Sequence, residues 1–197
     1  MRANLSALLV CALLWSVQAV AHAQIMGATG VEVTQLETRR NGDAVELSAS
    51  LRFELSTTMQ EALYKGVPLI FVMEAEIYRE RWYWLDRRVG SAQRQFRLTY
   101  HPLTRRWRMN AGGGDASAAF AQTYDTLADA LAVIRRVSSW RIADAGELDT
   151  GNAQRLEFRF RLDTAQLPRP LQIGALGQSE WALSATVTKR LTMEPAK

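Results

Sequence analysis

Arginine and aromatic residues interleave in two short stretches, Arg79-Glu80-Arg81-Trp82-Tyr83-Trp84-Leu85-Asp86-Arg87-Arg88 and Arg105-Arg106-Trp107-Arg108. Guanidinium groups grip carboxylates and phosphates through paired hydrogen bonds, and Trp and Tyr supply flat rings for stacking, so both stretches have the chemistry of a contact surface. Arg81, Trp82, Trp84, Arg105, Arg106, Trp107 and Arg108 are the candidate interaction residues. The same alternation has a second reading. In a strand, Trp82 and Trp84 share one face and belong to a core, with the arginines on the other face or beyond the end.

Catalytic groups are scarce. The histidines are His22 and His101, and Cys11 is the single cysteine. His101 stands beside Pro102 in a turn signal, no G-x-S-x-G elbow is present, and zinc and thiol chemistry lack their usual ligands. Gly112-Gly113-Gly114 lacks the lysine-serine pair and the spacing of a phosphate loop. Two carboxylate pairs remain, Glu74/Glu76 and Asp144/Glu147, because two carboxylates suffice for glycoside hydrolysis. Alternation puts Glu74 and Glu76 on one face of a strand, which is also where a wet face is expected. No metal, cofactor or catalytic residue is expected, and the chain reads as a non-catalytic protein.

The 197 residues are 48% hydrophobic and 22% charged, the composition of a folded domain with a real core. A formal charge of +4 is too diffuse to imply a polyanion partner. Residues 1–23 have the form of a cleavable signal peptide: Arg2, a mostly apolar stretch from Leu5 to Val20, then Ala21-His22-Ala23. Export to a periplasm follows, with residues 24–197 as a single mainly-β domain, no transmembrane segment after cleavage, and nucleic acid removed as a partner. Cys11 lies within the leader, so the mature domain relies on core burial without disulfides.

The elements that must carry these groups are mostly strands. Val31 to Arg39 and Ala44 to Leu55 flank Asn41-Gly42-Asp43 as a hairpin, and Val45, Leu47, Ala49, Leu51, Phe53 and Leu55 alternate strictly with polar residues. Thr58 and Glu61 form a capping box for a two-turn helix that Gly66 and Pro68 end, and Thr126 and Asp129 cap a second helix with Leu127, Ala130, Leu131 and Ile134 on its apolar face. Val67 to Ile77 reads as a central strand, and Ser91 to Tyr100 with Arg105 to Asn110 as a second hairpin. Trp140 to Ala143, Gln154 to Asp163 and Trp181 to Leu191 read as further strands, and Leu167-Pro168-Arg169-Pro170-Leu171 as an extended or turning segment. Arg52-Phe53-Glu54-Leu55-Ser56-Thr57 is similar to Arg159-Phe160-Arg161-Leu162-Asp163-Thr164, the form of a duplicated strand-to-cap unit. The expected fold is α+β: an antiparallel β-sandwich or curved sheet with two short amphipathic helices, with a lipocalin-like β-barrel as the alternative.

With its leader, Leu51-Arg52-Phe53-Glu54-Leu55-Ser56, Glu61-Ala62-Leu63, Gly66-Val67-Pro68-Leu69, Arg81-Trp82-Tyr83-Trp84, Arg97-Leu98-Thr99-Tyr100, Leu127-Ala128-Asp129-Ala130-Leu131 and Leu167-Pro168-Arg169-Pro170-Leu171-Gln172 in this order, the chain resembles an exported proteobacterial family catalogued as domain of unknown function 4390. The resemblance spans almost the whole mature chain. It implies a secreted, periplasmic, single-domain protein and brings no catalytic residue, cofactor or substrate. Members are often encoded beside a nitrogen-regulation-type membrane sensor kinase, which the resemblance makes a lead as an envelope protein partner. The expected function is a periplasmic binding or accessory protein, against a carboxylate-dependent hydrolase of envelope polysaccharide or a carrier of a lipid or other apolar ligand.

Overall fold

The computed structural model describes residues 30–79, 86–112, 120–148, 153–175 and 179–191. The expectations for the leader, for Arg81, Trp82 and Trp84, and for the loop at Gly113 and Gly114 lie outside the described residues.

Alternation of apolar and polar residues builds two antiparallel sheets. The smaller has the order β1 (Val31–Asn41), β2 (Ala44–Phe53), β7 (Arg136–Asp144). The larger has the order β6 (Phe120–Tyr124), β5 (Arg106–Gly112), β4 (Arg87–His101), β3 (Leu69–Arg79), β8 (Gln154–Leu162), β9 (Ser184–Leu191). Gly42 at φ 58° makes the expected turn between β1 and β2. The apolar faces of the sheets meet in one core, where Phe53 of β2 lies 5.9 Å from Phe71 of β3 and 5.1 Å from Phe160 of β8, ring centre to ring centre. The larger sheet ends at β6 and β9 without closing, so the fold is an α+β sandwich and not a barrel. β3 is the central strand that its apolar run implies, and Ile70 and Val72 on its outer face are buried as well.

β4 and β7, from opposite sheets, approach closely at Gly90. A Cβ added at Gly90 would lie 2.7 Å from Ala143 Cβ, nearer than carbon atoms pack, so glycine is what lets the two strands approach there.

Helix α1 (Thr57–Tyr64) buries Met59, Ala62 and Leu63 as expected, but its cap is Ser56, whose Oγ accepts from Met59 N at 3.2 Å. Thr58 Oγ1 instead donates to Glu180 Oε2 at 2.5 Å, so the N-cap lies two residues earlier than expected and, with Met59 at the third helical position, there is no capping box. Helix α2 (Leu127–Arg135) has the expected cap, with Thr126 Oγ1 accepting from Asp129 N at 3.1 Å. The segment expected to be extended or turning contains a third helix, α3 (Arg169–Ala175). Pro170 falls in its first turn, where no backbone N–H is needed, and the Leu171 and Gln172 amides both donate to Pro168 O.

Candidate interaction face

The outer face of the larger sheet is covered with arginines, and strand register determines which of them meet. Across β9, β8, β3 and β4 the rows read Ser184-Arg161-Val72-Gln95, Thr186-Arg159-Glu74-Gln93, Thr188-Glu157-Glu76-Ser91 and Arg190-Arg155-Tyr78-Arg88. Further along β4 and β5, Arg97 lies opposite Asn110, Thr99 opposite Arg108, and His101 opposite Arg106.

On β3 and β8 the charges pair off. Arg161 Nη2 lies 3.3 Å from Glu74 Oε1, and Arg88 Nη1 lies 2.9 Å from Glu76 Oε1. Arg159 contacts Glu157 directly and lies 3.9 Å from Glu76, while Arg155 Nη2 lies 2.8 Å from Asp86 and its guanidinium sits 4.7 Å from the centre of the Tyr78 ring. The Tyr78 hydroxyl donates to Glu76 Oε2 at 2.8 Å. That bond, reinforced by Arg88, holds the Glu76 carboxyl below its ordinary range, and the same bond raises the Tyr78 phenol.

A glycosidase acid needs the opposite environment, one that keeps a carboxyl protonated near neutrality. Glu74 and Glu76 do share a face, as alternation requires, but each is engaged by arginine. Of the second carboxylate pair, Asp144 Oδ1 accepts from Arg141 Nε at 3.1 Å, and Glu147 lies in the 3-10 turn that follows β7.

The β4–β5 half is different. Arg97 and Arg108 are exposed on the same face, and among the described residues neither has a carboxylate partner. Arg106 Nη2 lies 3.0 Å from Asp125 Oδ1, both well exposed, and Arg105 occupies the β4–β5 turn at φ 52°. Asn110, opposite Arg97, keeps its Oδ1 buried without a hydrogen-bond partner among the described residues.

Trp107 is corrected as a contact residue. Its side chain is 4% exposed and points inward, with its ring centre 4.7 Å from that of Tyr100 and 5.6 Å from that of Tyr64. The alternation around it is that of a strand whose indole fills the core while Arg106 and Arg108 face out. Arg94 also points inward, 5.3 Å from the Trp140 ring centre, and burial lowers its pKa. Arg97 was not among the sequence candidates, because only strand pairing places it beside Arg108.

Among the described residues no group of three or more His, Cys, Asp or Glu is arranged to hold a metal ion, and no helix is long and apolar enough to cross a membrane. A family described as a domain of unknown function (DUF4390) matches residues 28–191. The chain belongs to this family. The DUF4390 match runs from just ahead of β1 to the last residue of β9, so both sheets lie within it. No curated protein and no solved structure matches the chain.

Proposed function

We propose that this DUF4390 protein is a non-catalytic binding or accessory protein of the cell envelope, which meets an acidic protein partner through the β4–β5 half of the larger sheet's outer face. The observation that carries the reading is the contrast between the two halves of that face. On β3 and β8 the arginines are matched by Glu74, Glu76, Glu157 and Asp86, whereas Arg97 and Arg108 are exposed and lack a carboxylate among the described residues. Arginines held on a rigid sheet present fixed forks for carboxylates, and leaving them without internal partners favours an external one.

Export through the leader and periplasmic residence belong to the same proposal. The leader at residues 1–23 and the absence of cysteine after Cys11 support it. A membrane sensor kinase is the partner to test first.

The test is crosslinking in intact cells, followed by affinity recovery and mass spectrometry, with the Arg97→Glu/Arg108→Glu protein alongside. A dominant partner recovered with the wild type and lost with the double variant supports the proposal, provided that both melt alike. Equal recovery with both proteins, or recovery of the protein alone, overturns it. A mature terminus near Gln24 in the recovered protein supports cleavage of the leader, and an intact leader argues against it.

A further inference from the structure

Leu103, in the turn between β4 and β5, is fully exposed, and Tyr64 at the end of α1 is 52% exposed; these are the large apolar side chains that stand out among the described residues. A single exposed leucine is ordinary on a protein surface. Here the two share one end of the molecule. The Tyr64 ring centre lies 5.1 Å from that of Tyr100, three residues ahead of Leu103 on the same hairpin. Lys65, His101, Arg105 and Arg106 surround this end and are all exposed. Asp125 offsets Arg106, and Glu61 stands one turn earlier in α1, which leaves Arg105 without a carboxylate partner among the described residues.

We infer that this end, with Leu103 at its tip, docks on the surface of an anionic phospholipid bilayer. The Leu103 side chain can reach between head groups and acyl chains while the backbone of its turn stays in the hydrated head-group layer, and the hairpin strands behind it are hydrogen-bonded to each other. The half-exposed phenol of Tyr64 suits the head-group layer, and Arg105 and Lys65 complement lipid phosphates. With one inserted leucine and few cations the attachment is weak and reversible. This inference uses the turn itself, whereas Arg108 and Arg97 lie in the third and fifth rungs of the ladder behind it, and it does not depend on the protein-partner reading.

The test is co-sedimentation of the protein, purified as the cell processes it, with vesicles of phosphatidylglycerol mixed with phosphatidylcholine, against vesicles of phosphatidylcholine alone. The informative variants are Leu103→Ser and Arg105→Asn, because asparagine tolerates the positive φ at that turn position. Each is expected to weaken binding to the anionic vesicles about tenfold, with unchanged melting, while Arg97→Glu/Arg108→Glu retains most of it. Failure of the wild type to sediment with anionic vesicles overturns the inference. So does binding that Leu103→Ser leaves unchanged, which would assign the attraction to the charged sheet face instead.

Discussion

Glu76 of β3 lies directly across from Glu157 of β8, and Arg159 reaches both carboxylates. Like charges facing each other across strands oppose pairing, and Arg159, with Arg88 on Glu76 and Arg155 3.6 Å from Glu157, offsets that repulsion. Arg159→Met is expected to cost about 1 kcal/mol in urea unfolding, since the group is partly exposed and water screens it. Adding Glu157→Gln should recover most of that loss, and an additive double variant would show that the carboxylates do not oppose each other.

The same cluster sets a dependence on pH. The Glu76 carboxyl sits below its ordinary 4.5 in the folded state, so its stabilising contribution is complete above that value and disappears as pH falls through the folded value. Tyr78 is raised above 10.0, so its contribution is present below that pH and is lost as pH rises past it. Urea midpoints of wild type and Glu76→Gln should differ near neutral pH and converge on acidification. A constant difference down to acid pH would remove the assigned role of Glu76.

The close approach of β4 and β7 predicts a size limit at Gly90. Gly90→Ala places a methyl group against Ala143 and should destabilise by about 1–3 kcal/mol, with partial recovery when Ala143→Gly is added. Thermal unfolding of the three proteins measures this, and a neutral Gly90→Ala would mean that the sheets separate there at little cost.

Much of this architecture is legible in the sequence where one rule dominates. Strict alternation fixes β2 and β8, and Asn41-Gly42 fixes the first hairpin. The two similar hexapeptides around Phe53 and Phe160 occupy opposite sheets, with their rings 5.1 Å apart and Ser56 and Asp163 each capping the turn that follows. The misplaced cap at Thr58 was decided by a long-range contact with Glu180, which local spacing does not reveal. Helix α3 was hidden because prolines that permit a first turn also permit an extended chain. The candidate face was half legible: Arg106 and Arg108 alternate visibly with Trp107, but only the pairing of β4 with β5 brings Arg97 to them.

Trp107 and Arg108 are neighbours in sequence with opposite expected roles. Trp107→Ala empties a core position packed against Tyr64 and Tyr100 and should lower stability by about 3–5 kcal/mol. Arg108→Glu should leave stability near that of the wild type and weaken partner capture. Calorimetry with parallel capture separates the two, and a stable Trp107→Ala that loses capture would return the indole to the contact surface.

Contact between the β4–β5 half of the larger sheet's outer face and a protein partner can be read by photocrosslinking in living cells from a reactive residue placed at Arg97, at Arg108 or at Ser48. Ser48 lies on the outer face of the smaller sheet, remote in the fold from β5. One shared adduct is expected from positions 97 and 108 and none from 48. An adduct from 48 alone, or no adduct from 97 and 108, would contradict that contact.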